Sequence, residues 1–339
     1  MRLLIVVPAQ DRATGNLVTA SRLQQGLTAR GHAVLVCATD GTPAPLAETA
    51  AGFRPELVLL LHAWRSGRPW LEAGLALPYA VLLTGTDVNA GMADPQQGPV
   101  IDRVLKGAAA ILSQNPLTVA TLRRDQPDLG DRLGHLPPGV TLGRERFAWR
   151  DRLHPAPGDL VLFCPAGIRP VKGQLDLLAM CAPLLAAGRR LRLVFCGPIL
   201  DRGYGERLLT ELAGRPWAAY LGSVPPEAMA DAMRQADVIV NNSASEGLPN
   251  ALVEATVLGR PILARDIPGN AAVVTPGDNG LLYRDGGEFR TAVCRLQDEP
   301  ALRARLARPA PGRFAATTEA AVLEQVCTQI LAAHPSRQM

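Results

Sequence analysis

Three things are scarce in this chain: aromatic side chains, lysine, and any paired arrangement of cysteine. Phe, Trp and Tyr together make up 4% of the 339 residues. A nucleic-acid surface wants a basic stripe interleaved with aromatics that stack on bases, so a nucleic-acid partner is not expected. The six cysteines (Cys37, Cys164, Cys181, Cys196, Cys294 and Cys327) show no C-x-x-C spacing and no Cys/His cluster. Neither a zinc site nor a disulfide framework is therefore expected. Most of them sit in apolar stretches, where cysteine acts as a small hydrophobe, and this favours a reducing, cytoplasmic setting. No apolar run approaches the ~20 residues that span a bilayer. The opening run, Leu3 to Val7, stops at Pro8 and reads as a buried strand, too short for a signal-peptide core. Pro8 to Asn16 lacks G-x-G-x-x-G, which argues against a dinucleotide-dependent dehydrogenase. No aspartate pair follows a strand in a metal-holding context, so no metal is expected.

Hydrophobic residues make up 47% of the chain, charged residues 19%, and the net charge is +4. Arginine supplies nearly all the positive charge, since Lys106 and Lys172 are the two lysines. In an arginine-biased chain a retained lysine is more apt to do something arginine cannot. Lys106 reads as a helix-surface residue; Lys172 falls in a more telling place. The length predicts two domains of roughly 150 residues. Strands are expected at Leu3–Val7, Ala33–Cys37, Leu57–Leu61, Tyr79–Leu83 and Ala108–Leu112, alternating with helical patterns such as Val18–Arg30. The pattern breaks in the proline-rich His135–Gly139 and the mixed Arg144–Gly158. It restarts at Leu160–Cys164, Leu191–Cys196, Ala219–Leu221, Val238–Val240, Ile262–Ala264 and Leu281–Tyr283, with a final helical pattern at Ala315–Ala333. Strand–helix alternation of this kind means parallel pairing with right-handed crossovers. Ligands then bind at the carboxyl ends of the strands. The expected division is a domain at 1–145, a linker at 146–158 and a domain at 159–314.

The richest stretch runs from Asp237 to Asn270. A strand leads into Ser243-Ala244-Ser245-Glu246-Gly247, Pro249 opens a helix at its first position, Glu254 lies on that helix, and Gly259 turns the chain through Pro261 into the next strand. A helix amino-terminus preceded by glycine offers unpaired N–H groups and a positive dipole end. Here the donors come from near Leu248, Asn250 and Ala251, and a diphosphate suits them. Glu246 and Glu254 lie eight residues apart, ~12 Å if the segment were helical throughout, comparable with a nucleoside diphosphate. Two glutamates at that spacing alone mean little; the strand–Glu–Gly–helix–Glu–strand order is what carries the reading.

In this stretch the chain resembles the retaining glycosyltransferases of the large family 4 group. Glu246 and Glu254 match the two glutamates of that family's E-x7-E motif. Leu221-Gly222-Ser223-Val224-Pro225, Ala236-Asp237-Val238, Gly259-x-Pro261, Pro268-Gly269 and Gly280-Leu281-Leu282 follow in the family's order. The resemblance covers most of residues 160–290. It implies an α/β fold of the GT-B type, two doubly wound Rossmann-like domains facing across a cleft, with the C-terminal helix (315–339) packing back on the first. It implies a nucleotide-diphosphate sugar, UDP- or GDP-linked, as substrate, with no cofactor and no metal. By resemblance Glu254 binds the ribose hydroxyls and Glu246 sits at the donor sugar, with Gly247, Leu248, Pro249 and Asn250 around the donor. The loop Leu221–Pro225 lines the base pocket. Arg169 and Lys172, in Gly167-Ile168-Arg169-Pro170-Val171-Lys172-Gly173, resemble the family's basic pair. Two cations there neutralise charge growing on the leaving diphosphate. A solvated basic loop is the plain alternative.

In the first half, Thr14-Gly15-Asn16 follows the first strand and resembles the family's glycine-containing loop over the donor. His62 ends the run Leu57–Leu61, and Thr86-Asp87 follows the next strand within Gly85-Thr86-Asp87-Val88-Asn89. These read as acceptor-side residues. His62 bonded to nearby backbone, and Asp87 capping a turn or helix, are the structural alternatives. Many family members carry a histidine near Thr86; here it is missing, and Asp87 is the nearest substitute. These segments, with Ile267-Pro268-Gly269-Asn270-Ala271-Ala272, resemble the glycosyltransferase-1-domain-containing subgroup. More distantly they resemble the selenosugar synthases of selenoneine biosynthesis, which act on selenophosphate. A sugar-nucleotide-binding protein without catalysis is the reading from another class. The two-domain picture also predicts closure about the 144–158 stretch when the donor binds. The base, the sugar, the acceptor and the oligomeric state are not named by the sequence.

Overall fold

The computed structural model describes residues 1–9 and 15–334, so Thr14 lies outside the described residues. Each half of the chain builds one six-stranded sheet. The first contains β1 (Arg2–Pro8), β2 (Ala33–Thr39), β3 (Leu57–Leu61), β4 (Tyr79–Leu83), β5 (Ala110–Ser113) and β6 (Leu133–His135), in the order β2-β1-β3-β4-β5-β6. The second contains β7 (Leu160–Pro165), β8 (Leu191–Cys196), β9 (Ala218–Tyr220), β10 (Val238–Asn241), β11 (Ile262–Arg265) and β12 (Gly280–Tyr283), in the order β12-β11-β10-β7-β8-β9. Every pairing is parallel.

The apolar runs explain this. Strands covered on both faces have no side that can be polar. Along β1, Leu4 and Val6 enter one core with Leu46, Trp70 and Val104. Leu3, Ile5 and Val7 enter the opposite core with Leu23, Leu27 and Leu323. The sequence missed β6. Its Leu133-Gly134-His135 carries no apolar run, and it is an edge strand that gains its place by pairing with β5, Ile111 opposite Leu133.

The chain divides into two units, Met1–Thr141 with Phe314–Met339, and Leu142–Arg313. The helix Ala316–Ala333 belongs to the first unit. Its Glu319 accepts a bidentate pair of hydrogen bonds from Arg22, Nε at 2.6 Å and Nη2 at 2.9 Å, and a third from Gln114 Nε2 at 2.5 Å. The Arg22 and Glu319 side chains are 7% and 1% exposed. The stretch 146–158, expected as a linker, is built into the second unit instead. Trp149 is 1% exposed, stacks on Phe163 at 5.2 Å between ring centroids, and donates its indole N–H to the Ala232 carbonyl. Phe147 N–H donates to Asp231 in the same unit. Charge and proline content suggested a loose segment; one buried tryptophan fastens it.

Candidate active site

In a doubly wound sheet the crevice opens where the strand order reverses, outside the carboxyl ends of the two strands flanking that point. In the second sheet those strands are β7 and β10. The chain leaves β7 into Arg169 to Gly173 and leaves β10 into Asn242 to Pro249. These two loops are fastened together. Ala244 N–H donates to the Val171 carbonyl at 2.8 Å, and Asn242 Nδ2 donates to the Gly173 carbonyl at 2.8 Å. Asn242 Oδ1 accepts from the Tyr283 hydroxyl at 2.7 Å. Gly173 has φ +63°, and a Cβ there would lie 2.6 Å from Asn242 Nδ2, so both the left-handed turn and the close approach require glycine.

This geometry brings Lys172 and Glu246 together. Lys172 Nζ donates to Glu246 Oε1 at 2.5 Å, with side chains 14% and 12% exposed. The same oxygen accepts from Ser243 Oγ at 2.7 Å and from Asn241 Nδ2 at 3.2 Å. Burial alone would raise the Glu246 carboxyl. The Lys172 charge and the hydrogen bonds from Lys172, Ser243 and Asn241 outweigh it and hold the group below the ordinary range. Gly269, in the next loop, lies against Glu246: a Cβ there would sit 2.6 Å from the glutamate's own Cβ. Arg169 precedes Lys172 in the same turn, and its Nε is buried with no hydrogen-bond partner among the described residues.

The helix carrying Glu254 runs Asn250–Leu258, with Pro249 in the N-cap position rather than first in the helix. Gly247, Leu248 and Pro249 are non-helical, so the ~12 Å helical spacing between Glu246 and Glu254 does not apply. Leu252 and Val253 donate to the Pro249 carbonyl; Asn250 and Ala251, ahead of them, have no carbonyl within the helix to donate to. The Glu254 charge is felt at Cys196, the last residue of β8. Burial drives that thiol well above its usual range, and Cys164 and Glu254 add to the shift.

The first sheet reverses between β1 and β3. Gly15, which is exposed, opens the helix Gly15–Thr28 after β1, and the half-buried Asn16 follows it. His62 follows β3 with φ +81°, a backbone region uncommon for a non-glycine residue. Its Nδ1 accepts the N–H groups of Trp64 and Arg65, both at 3.2 Å. The ring proton therefore lies on Nε2, which donates to Thr86 Oγ1 at 3.0 Å. Asp87 is fully buried. Its Oδ2 accepts from Ala63 N–H, and its Oδ1 accepts from the N–H groups of Thr84, Gly85 and Val88. Of the two roles weighed for Asp87, the geometry is that of the cap.

Burial depresses the His62 imidazole, while Asp87 opposes and Arg65 adds to that shift. A folded-state value below the ordinary ~6.5 means the unfolded chain takes up a proton that the native state refuses. The stability involved is fully present above pH ~6.5 and falls as pH drops below it, at up to about 1.4 kcal/mol per pH unit, until the lower folded-state value is passed. His62→Asn keeps a side chain tolerant of positive φ and is expected to flatten the urea-midpoint-against-pH curve just below pH ~6.5. An unchanged slope would refute this account.

Asn241 and Asn242 were missed in the sequence, and Asn270 entered only within the segment Ile267–Ala272. The signal was present: Asn241-Asn242-Ser243 puts three hydrogen-bonding side chains directly after the apolar Val238-Ile239-Val240. Among the described residues no group of three or more His, Cys, Asp or Glu is arranged to hold a metal ion, and no helix is long and apolar enough to cross a membrane.

Residues 159–299 match the family model described as Glycosyl transferases group 1. Glycosyltransferase 1 domain-containing protein 1 of Xenopus tropicalis is 27% identical over 305 residues, covering 86% of this chain and 87% of that protein. Sucrose-phosphate synthase from Thermosynechococcus elongatus has a TM-score of 0.79 at 20% identity, over 98% of this chain and 99% of that one. HepE from Anabaena, in complex with UDP-glucose, has a TM-score of 0.74 at 16% identity, over 98% and 100%. At such identities the likeness to solved structures establishes the fold. The chain thus has the two-domain α/β architecture of the GT-B fold, and its second unit carries the match to the Glycosyl transferases group 1 family.

Proposed function

We propose that this chain is a metal-independent glycosyltransferase that moves a sugar from a UDP- or GDP-linked donor to an acceptor with retention at the anomeric carbon. The observation that carries the reading is the Lys172–Glu246 contact of 2.5 Å at the strand-order reversal of the second sheet, beside the amino-terminus of the helix bearing Glu254. In the reaction the bond from the anomeric carbon to the β-phosphate oxygen breaks and its electron pair leaves with the nucleoside diphosphate. The acceptor nucleophile bonds to that carbon and gives up its proton. Lys172 and Arg169 meet the charge that grows on the departing diphosphate. The buried Arg169 Nε, which has no partner among the described residues, is a donor of the kind an anion satisfies. Glu246 addresses the sugar and Glu254 the ribose hydroxyls. The name of the Xenopus relative and the UDP-glucose bound by HepE on the same fold support the donor class.

Thermal shift with a panel of UDP- and GDP-sugars tests this. A donor at a hundred times its Kd adds about 2.7 kcal/mol, a rise of roughly 5–11 °C for a unit of this size. Release of nucleotide from the same donor completes the case. A rise without release would favour a sugar-nucleotide-binding protein, and no rise with any donor would sink the proposal. Glu254→Ala is expected to weaken nucleoside diphosphate binding roughly ten- to a hundredfold, the worth of a hydrogen bond to a charged group at ~1.5–3 kcal/mol. Calorimetry showing unchanged affinity would refute the ribose role. Transfer is expected to survive EDTA, because Lys172 and Arg169 supply the cationic charge. Loss of activity restored by magnesium or manganese would contradict that.

A further inference from the structure

Asn241 ends β10 at a buried position, directly after three apolar residues of the strand. A buried amide is costly unless its hydrogen bonds are made, and here both ends are engaged. Oδ1 accepts from Ser243 N–H at 2.9 Å and from Asn270 Nδ2 at 3.3 Å. Nδ2 donates to Glu246 Oε1. Asn270 is itself fully buried and anchored on the Arg265 carbonyl at 2.8 Å. Glu246 Oε1 thus accepts from Lys172, Ser243 and Asn241, and of these three Lys172 is the charged one.

A diphosphate arriving beside Lys172 competes for that charge, because an ammonium is a compact point charge on a flexible stem. A carboxylate this buried, left by its cation, would take up a proton or move. The geometry points to Asn241, aided by Ser243, as a positioning residue that keeps Glu246 fixed and ionised when Lys172 turns its charge to the donor's diphosphate. This rests on the donor-site reading above. Among the described residues, titratable groups facing Glu246 include Lys172, from the turn after β7, and the Cys164 thiol, on β7 itself; the loop segment Pro268–Ala271 carries no titratable side chain.

The test is a carboxyl-carbon NMR titration of Glu246 in protein labelled at the glutamate side-chain carboxyl, alone and saturated with UDP or GDP. Three proteins are compared: the unmodified chain, Asn241→Asp and Ser243→Ala. Asn241→Asp keeps an acceptor for Ser243 and Asn270 and removes the donor to Glu246, but it also sets a second negative charge beside Glu246 that raises the midpoint by itself. Ser243→Ala, which removes one hydroxyl and adds no charge, therefore decides whether the neutral donors hold Glu246 ionised. In the unmodified protein Glu246 should titrate below the ordinary range with and without nucleotide. In both variants the midpoint should rise, by about one pH unit or more in Asn241→Asp, and further when nucleotide is bound. Turnover of the donor that the thermal-shift panel selects should fall about tenfold with donor KM within threefold, and the acid limb of its pH profile should move upward. If nucleotide binds the unmodified protein and the Glu246 midpoint is the same in all three, Asn241 has no such role. If neither nucleotide binds the unmodified protein, the donor-site reading fails and the hand-over fails with it.

Discussion

Lys172→Ala is expected to reduce sugar transfer by about 10²–10³-fold, or roughly 3–4 kcal/mol of transition-state stabilisation. The lysine's charge is worth most when the diphosphate leaves, so turnover should fall more than nucleoside binding. Removing it also takes from Glu246 the charge of Lys172, its ion-pair partner at 2.5 Å. The depressed Glu246 carboxyl gives stability that is present above its ordinary titration range and lost as pH falls through the lower folded-state value. In the variant that contribution shrinks and the acid limb of stability moves to higher pH. Lys172→Arg should restore activity only in part, because a planar fork does not substitute for a point charge in a turn set by Gly173. Steady-state kinetics with the donor identified by thermal shift decides it. Transfer within twofold of the unmodified chain would end the leaving-group role.

Glu319→Ala should produce the largest loss of stability. It leaves the Arg22 guanidinium, 7% exposed, without its carboxylate, and it removes the acceptor for Gln114. Breaking a buried pair from one side costs about 3–5 kcal/mol, roughly 6–20 °C in the melting of the first unit at ~2–4 °C per kcal/mol. Replacing both members, Arg22→Met with Glu319→Leu, should cost far less, because no buried charge is left over. Two units need not unfold together, so hydrogen exchange of the β1 amides is the measurement to make. Protection of β1 unchanged in the single variant would show that the pair does not hold the helix.

The fold was largely written in apolar runs. Leu57–Leu61 and Tyr79–Leu83 come out with the bounds their hydrophobicity predicts, because a strand buried on both faces is visible as an unbroken run. Strand order was not legible, and it makes β7 and β10 neighbours. The Lys172–Glu246 contact therefore could not be read from spacing: the two residues are 74 positions apart. Arg169, Lys172, Glu246 and Glu254 were legible as candidates through the motif resemblance. The neutral groups behind them were not, because asparagine and serine after a strand look like ordinary turn residues. Asp87 shows the converse. A carboxylate at a strand's carboxyl end reads as a ligand-binder until its oxygens are found on four backbone amides. Trp149 shows how one apolar side chain overrides a polar, proline-rich context.

The return of the last helix to the first sheet sets a timetable for the nascent chain. Arg22 and Glu319 are separated by 297 residues. At about 5–20 residues per second a ribosome needs on the order of 15–60 s to make that span. Throughout that interval Leu23 and Leu27, which pack with Leu323 in the finished core, lack their covering helix, and Arg22 lacks its carboxylate. The second unit, Leu142–Arg313, is continuous in sequence and waits for nothing downstream. The segment synthesised in the middle is thus free to finish before the one synthesised first, and the N-terminal sheet keeps apolar surface uncovered until the last helix emerges.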